Sequence, residues 1–313
     1  MPRYLITGGA GFIGSNLAHA LVARKESVRI LDDFSTGRSQ NLAGIEDQVE
    51  IIRGDLRDPE AVARAVRGVE IILHQAALNS NPRSIKEPGP TNAVNVGGTL
   101  LLLEAARQEK VRRLVYASSS SVYGEASPVL PKTEDLPLLP KAPYGVSKLA
   151  AELYCRVFAQ VYGLETVCLR YFNVFGPRQL PDSEYAAVIP RFLRQMLAGK
   201  PPVIFGDGEQ SRDFTPVANV VEANLRASES QQGVGEVFNV ACGQTSTLNQ
   251  VAAWLNAELG TNLAPTYEPP READIRHSFA SIRKAELTLG YRPPMDVRTG
   301  LRHTVEWFKV HEC

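Results

Sequence analysis

The segment Thr7-Gly8-Gly9-Ala10-Gly11-Phe12-Ile13-Gly14 constrains the fold of this chain more than any other stretch. It follows a short apolar run, Arg3–Thr7, that reads as a strand, and it opens a helical pattern reaching about Arg24. Glycine at Gly8, Gly11 and Gly14 lets the backbone turn tightly, approach a pyrophosphate and pack the helix close to the strand. The phosphates then sit at the helix N-terminus, where free N–H groups and the dipole favour anions. Asp32 follows 18 residues after Gly14, at the end of the next apolar run. A carboxylate there accepts hydrogen bonds from both ribose hydroxyls and repels a 2′-phosphate, which favours NAD over NADP. Arg38 lies nearby and could serve a 2′-phosphate, but Asp33 adds a second negative charge against one.

The rest of the first half repeats the strand–helix unit. Ser27–Leu31, Val49–Arg53, Val69–His74, Val111–Ser118 and Leu164–Arg170 read as strands, several of them apolar at nearly every position, as strands covered on both faces are. Helices are expected near Asp58–Arg67, over Thr91–Gln108 and from Pro143 to about Tyr162. On the last, Val146, Leu149, Ala150, Leu153 and Val157 recur at helical spacing and form the expected buried stripe. The class this predicts is α/β: a Rossmann-type doubly wound parallel sheet with right-handed crossovers. After about Gly176 prolines punctuate the chain and the alternation becomes irregular. A cofactor domain is therefore expected over 1–175, with a segment returning near 213–243 that includes a last strand at Glu236–Ala241. A smaller mixed α/β C-terminal substrate domain is expected over 176–313.

Composition removes several function classes. Lys plus Arg and Asp plus Glu are each 34, so bulk charge draws the chain to neither nucleic acid nor a membrane surface. No run of ~18 apolar residues exists and the start lacks a secretory h-region, so no membrane span is expected and the chain reads as cytoplasmic. Cys155, Cys168, Cys242 and Cys313 form no C-x-x-C pair, and the five His are scattered without H-E-x-x-H, so no metal site is expected. No G-x-S-x-G or P-loop occurs.

Tyr144 and Lys148 stand four apart at the start of a helix, hence on one face. The strand before that helix ends in Ser118-Ser119-Ser120-Ser121. Ligands of open parallel sheets bind outside the carboxyl ends of strands, so a hydroxyl, a phenol and an ammonium are expected to converge beside a nicotinamide. Oxidising an alcohol requires a base, and a free phenol at pKa ~10 is a poor one. An adjacent ammonium and a positive nicotinamide would lower it by ~2–3 units. Small residues at Gln75-Ala76-Ala77 let a cofactor lie over the sheet edge, and Asp55-Leu56 would lie along its adenine. His74 reads as a satisfied structural histidine.

The glycine turn, Asp32, the serine run ending in Val122-Tyr123-Gly124, the Tyr144-x-x-x-Lys148 pair and Arg170-Tyr-Phe-Asn173 together resemble the extended short-chain dehydrogenase/reductases, and within them the UDP-sugar 4-epimerases. The likeness spans residues 1 to about 310. It implies tightly bound NAD, held by Gly8, Gly11, Phe12, Ile13, Gly14, Asp32, Asp33, Ser35, Thr36, Gly37, Asp55, Leu56, Gln75, Ala76, Ala77, Asn95, Tyr144, Lys148 and Tyr171. It implies Ser119, Tyr144 and Lys148 as the catalytic set. In related dehydratases the two positions after the catalytic serine are Asp and Glu; here they are Ser120 and Ser121. Elimination needs a carboxyl acid/base, so redox at C4 alone is favoured.

The resemblance further implies a substrate grip by Asn173, Arg212 and Arg271 on the diphosphate, Asp274 on the uridine ribose, and Val203 and Phe205 on the uracil. Asn79, Ser80, Arg83, Ser119, Ser120, Ser121, Tyr144, Gln179, Ala187, Val188 and Ser278 would also bind the substrate. Ser278 stands where glucose-restricted relatives carry a bulky Tyr, which favours an N-acetylated sugar. Asn79 stands where that branch has Gly. The leading expectation is interconversion of UDP-N-acetylglucosamine and UDP-N-acetylgalactosamine, with plain UDP-hexoses also used. The alternative is a UDP-glucose or UDP-glucuronic acid 4-epimerase; a dehydratase, a decarboxylase or a non-catalytic NAD sensor is more distant. The resemblance also implies a homodimer paired through the helices over Thr91–Gln108 and Tyr144–Tyr162.

Overall fold

A computed structural model of the protein describes residues 2–124, 130–179, 187–270 and 276–311. Its first six strands are β1 (Tyr4–Thr7), β2 (Val28–Asp32), β3 (Val49–Arg53), β4 (Ile71–His74), β5 (Arg113–Ser119) and β6 (Glu165–Tyr171). Four short strands follow, β7 (Val174–Phe175), β8 (Val203–Phe205), β9 (Ser211–Arg212) and β10 (Thr215–Pro216), before β11 (Glu236–Val240). The last three are β12 (Ser246–Thr247), β13 (Thr266–Glu268) and β14 (His277–Ser278). The helices are α1 (Phe12–Ala23), α2 (Pro59–Val66), α3 (Asn81–Lys86), α4 (Pro88–Asn92), α5 (Thr99–Gln108), α6 (Pro143–Tyr162), α7 (Val188–Leu197), α8 (Val217–Glu229), α9 (Leu248–Leu259), α10 (Arg283–Leu289) and α11 (Val297–His311).

Seven strands make the main sheet in the order β11-β6-β5-β4-β1-β2-β3, every pair parallel. The chain winds outward from β1 to β3, then crosses back to β4 and winds the other way. This reversal opens a crevice at the carboxyl ends of β1 and β4, where such sheets bind ligands. β11 closes the far edge by pairing with β6, at the place anticipated for a returning strand.

Successive strand residues point to opposite faces, so both faces of the sheet carry core. Tyr4, Ile6, Ile30, Leu73, Val115 and Leu169 pack with Leu17 and Leu21 of α1 and Val220 and Ala223 of α8. Leu5, Leu31, Ile72, Leu114 and Cys168 pack with Val62 of α2, Leu102 and Leu103 of α5, and Ala151 and Phe158 of α6. A third core, with Phe192, Ile204, Phe214, Val251, Leu255, Leu301 and Phe308, joins α7, α9 and α11 to β8 of the small sheet β13-β8; a second small sheet runs β12-β9-β14.

β3 is the last strand of the sheet, and Ile51 stays 40% exposed. Two sequence expectations need correction. The helix over Thr91–Gln108 is not regular. A π-helical turn, Ala93–Gly98, joins α4 to α5 and carries Asn95 inward; such bulges often mark functional sites. The stripe expected to be buried on α6 is largely outside, with Val146, Leu153 and Val157 exposed. The helix instead turns Gly145, Ser147, Lys148, Ala151, Glu152, Cys155 and Phe158 inward. Periodicity identifies an apolar face but not what covers it, and here the polar groups of the site are the ones drawn to the sheet.

Candidate active site

The glycine turn is a close approach of three backbone segments. Gly8 has φ +68°, and a Cβ there would lie 2.8 Å from the N and Cα of Ala76. A Cβ on Gly14 would lie 2.1 Å from the Gly8 carbonyl oxygen. α1 begins at Gly11 with no side-chain cap, so its first N–H groups face the crevice, with Phe12 and Ile13 in its first turn. That is the arrangement a pyrophosphate requires.

Asp32 is buried at the end of β2, where Oδ2 accepts from Ala10 N and Oδ1 from Phe34 N, both at 2.8 Å. Burial raises its carboxyl pKa, and the two backbone N–H groups oppose the rise. A Cβ on Gly37 would sit 2.8 Å from Asp32 Oδ1, so this loop also closes tightly. Asp33 caps the loop by accepting from Ser35 N and Oγ at 2.9 and 2.7 Å, and Thr36 is exposed. Arg38 is held through its backbone N–H to Ala10 O at 3.0 Å. Asp55 pairs with Arg57, whose hydrogen bond holds its carboxyl below the usual range, and Leu56 is buried against Gly98.

Beyond β4, Gln75 Oε1 accepts from Tyr171 OH at 3.3 Å, and Gln75 Nε2 donates to Asn224 Oδ1 at 3.2 Å. Asn224 Nδ2 in turn donates to Tyr171 OH at 2.8 Å. Burial pushes the Tyr171 phenol up to about 12. Asn224, on α8, has no local motif and escapes sequence reasoning. Asn95, expected beside the cofactor, directs its amide to Leu78 N and O (2.8 and 3.1 Å) and to Ser147 Oγ (2.9 Å). Ala77 lies between these two networks, partly buried.

Ser119 ends β5 and faces the start of α6. Its Oγ accepts from Ser121 N and donates to Ser121 Oγ, each at 3.1 Å, with Ser120 between them. The first turn of α6 is tied to α3 by the Tyr144 N–H, which donates to buried Ser84 Oγ at 3.0 Å. Lys148 Nζ donates to the Ala117 carbonyl at 2.7 Å and lies 5.0 Å from the Tyr116 ring centre. Burial raises the Tyr144 pKa, and only a hydrogen bond with Ser119 opposes it. Lys148 spends its proton on Ala117, and burial lowers its own pKa to about 7. Burial thus disfavours the phenolate of Tyr144.

Lys148 makes stability pH-dependent. Its pKa is about 7 in the fold against 10.5 unperturbed, so between those values the unfolded chain binds more protons and stability rises with pH. Urea unfolding of the NAD-free protein at pH 7 and at about pH 9 is expected to show a rise approaching ~1.4 kcal/mol per pH unit. Lys148→Met should flatten it, and an unchanged slope would contradict the assignment.

Below the serine run lies a buried ion pair. Arg170 grips Glu152 through Nη2–Oε1 at 2.6 Å and Nε–Oε2 at 3.1 Å, the two side chains being 2% and 1% exposed. Ser118 Oγ donates to Glu152 Oε2 at 2.8 Å, and Arg170 Nη1 donates to Tyr123 OH at 2.8 Å.

Across the crevice, Ser80 caps α3 by accepting from Arg83 N at 3.1 Å, and Asn79 and Arg83 are exposed. Asn173 has φ +35° and donates from Nδ2 to Asp213 O at 3.2 Å. Arg212 donates to the carbonyls of Ser211 and Arg276 at 2.9 and 3.2 Å, and stands opposite Ser278 in the β9–β14 pairing. Val203 and Phe205 lie on β8, with the Arg191 guanidinium 5.3 Å from the Phe205 ring centre. Gln179 Nε2 donates to Val174 O at 3.1 Å, and Ala187 and Val188 start α7. Arg271 and Asp274 lie outside the described residues. Among the described residues no three His, Cys, Asp or Glu gather to hold a metal ion, and no helix is long and apolar enough to cross a membrane.

Comparison with known proteins decides the family. The model of the NAD-dependent epimerase/dehydratase family matches residues 4–241. The chain belongs to this family. It is 38% identical over 311 residues to the UDP-glucose 4-epimerase of Mycolicibacterium smegmatis, covering 98% of each. It is similar to the solved UDP-N-acetylglucosamine 4-epimerase of Methanobrevibacter ruminantium M1, in complex with UDP-N-acetylmuramic acid. There the TM-score is 0.94 and the identity 38%, over 99% of this chain and 98% of that one. A crystal structure of UDP-glucose 4-epimerase from Thermotoga maritima with UDP-glucose gives TM-score 0.93 at 37% identity, over 99% of both chains. This epimerase/dehydratase-family chain is therefore an NAD-dependent enzyme of the extended short-chain dehydrogenase/reductases, and the glycine turn with Asp32 fits its cofactor.

Proposed function

We propose that the chain is a 4-epimerase of UDP-sugars, acting on UDP-glucose and UDP-galactose. The observation that carries the epimerase reading is the pair Ser120 and Ser121 beside Ser119 and Tyr144, where a dehydratase needs carboxyls. Serines at these two positions lack the carboxyl acid/base that elimination across C5 and C6 needs, which supports transfer of a proton and a hydride at C4. Relatives from M. smegmatis and T. maritima that bear the UDP-glucose name support the plain hexose. A second reading, the N-acetylated sugars, rests on Ser278, a small and buried residue opposite Arg212.

NAD, when bound, supplies a reversible two-electron acceptor and a fixed positive charge near the phenol. Tyr144 holds the proton of the 4-hydroxyl, and Ser119 orients that oxygen through the hydrogen bond it shares with Tyr144. Lys148, bonded to Ala117 O, anchors the face of α6 that carries Tyr144. Asn173 and Arg212 grip the diphosphate, so that remote binding energy holds the nucleotide while the 4-keto sugar turns over.

Incubation of the purified protein with UDP-glucose and, separately, with UDP-N-acetylglucosamine, without added cofactor and followed by NMR, tests the reading. Formation of UDP-galactose supports it, and faster turnover of the N-acetylated sugar supports the second reading. A 4-keto-6-deoxy sugar or a pentose would refute both.

The exposed apolar residues of α6, Val146, Leu153, Tyr154, Val157, Val161 and Tyr162, support a homodimer built on this helix. Val157→Glu is expected to convert a dimer to a monomer in sedimentation velocity; a wild-type monomer would exclude the dimer.

A further inference from the structure

A run of hydrogen bonds connects the floor of the cofactor crevice to the first turn of α6, and with a neutral imidazole the groups along it give each bond one direction. Ser147 Oγ donates to the Tyr144 carbonyl at 2.8 Å and therefore accepts from Asn95 Nδ2, a pure donor, at 2.9 Å. The backbone carbonyl of Asn95 can only accept, so it takes the hydroxyl proton of Thr99 at 2.6 Å. Thr99 Oγ1 must then accept from His74 Nε2 at 2.9 Å. A neutral imidazole protonated at Nε2 accepts at Nδ1, which receives the Thr7 hydroxyl proton at 2.6 Å. Thr7 Oγ1 finally accepts the Ala76 N–H at 3.3 Å. Thr7, His74, Asn95, Thr99 and Ser147 are all buried, so water cannot replace a lost partner.

The two ends of this run matter for chemistry. Thr7 immediately precedes Gly8, and Ala76 is the residue that Gly8 nearly touches. At the other end stands the backbone of Tyr144. We propose that His74 is a positioning residue: as its neutral Nε2–H tautomer it holds the Thr7–Ala76 floor of the dinucleotide site in register with the helix turn that carries Tyr144. The inference rests on reading Tyr144 as the proton carrier. Burial, with the Lys148 charge adding to it, lowers the His74 pKa to about 3, consistent with a ring that stays neutral and does no acid–base work itself.

The test has two independent arms. In the wild-type holoenzyme, 15N-imidazole NMR should show one of the five histidines as an Nε2–H tautomer that does not titrate between about pH 5 and pH 9. His74→Phe keeps the ring volume and removes both ring bonds, and Thr99→Val removes the Nε2 partner together with the Thr99 bond to the Asn95 carbonyl, breaking the run at a second point. Both are expected to lower kcat roughly ten- to hundred-fold with KM little changed and an unaltered shape of the kcat–pH profile. The deuterium isotope effect from C4-labelled substrate should rise, because hydride transfer becomes limiting. Normal kcat in a folded variant, a profile that loses a limb, or a wild-type His74 that titrates or carries its proton on Nδ1 would overturn the proposal. If His74→Phe does not fold, Thr99→Val and the NMR arm still decide it. Absence of wild-type epimerisation would instead defeat the functional reading and leave the tautomer result standing.

Discussion

Tyr144→Phe is expected to lower kcat by ~10²–10⁴-fold, the range that one positioned general acid/base supplies, while UDP affinity changes little. The ring stays, so its packing and the backbone bond to Ser84 survive. What disappears is the one hydroxyl that reaches Ser119 from α6. Because burial holds the wild-type phenol above its ordinary value, the base form must be generated within the loaded site. The rising limb of kcat against pH should therefore be absent in Tyr144→Phe. Turnover within tenfold of wild type, measured by the same NMR assay, would remove Tyr144 from the mechanism. Isothermal titration with UDP separates loss of chemistry from loss of binding.

Glu152→Ala is expected to be the most destabilising single change near the site, by about 3–5 kcal/mol, since it leaves the guanidinium of a buried ion pair uncompensated. Burial works against the Arg170 charge, but Glu152 and Tyr123 more than restore it and raise its pKa. Arg170 would then keep Tyr123 OH as its remaining short partner, and Ser118 Oγ would lose its acceptor. Replacing both members together, Glu152→Met with Arg170→Met, should recover much of the loss, because burying a charge is then no longer required. Urea unfolding of the two single variants and the double closes the cycle; an additive cycle would mean that the pair does not act as a unit. Ser118 precedes Ser119, so the single variant is also expected to lose activity per folded molecule.

Much of the cofactor side is legible in the order of residues. The glycine turn, Asp32, Gln75-Ala76-Ala77 and the Tyr144–Lys148 pair are local patterns, and the strand alternation places them at one edge of the sheet. What is not legible depends on partners distant in the chain. Asn224 lies 149 residues from the Gln75 it binds, and Ser84 lies 60 from Tyr144; no local spacing pairs them. The orientation of α6 departs from its apolar periodicity because both of its faces carry residues able to be buried. Spacing places the lysine and the tyrosine on one face, yet it does not fix their electrostatics. It predicts an ammonium near a phenol, whereas the fold gives that ammonium the Ala117 carbonyl and puts both groups where desolvation dominates.

The order of residues alone pointed to a parallel α/β sheet, a dinucleotide turn with its acidic partner, and a Tyr–Lys pair on one helix face. These follow from steric and hydrogen-bonding demands met within a few consecutive residues. Only the tertiary structure decided which face of α6 is inside, which groups the two ring nitrogens of His74 face, and how burial shifts Tyr144 and Lys148. Each of these depends on solvent exclusion and on partners brought together by the sheet, and neither quantity is a property of any short stretch of sequence.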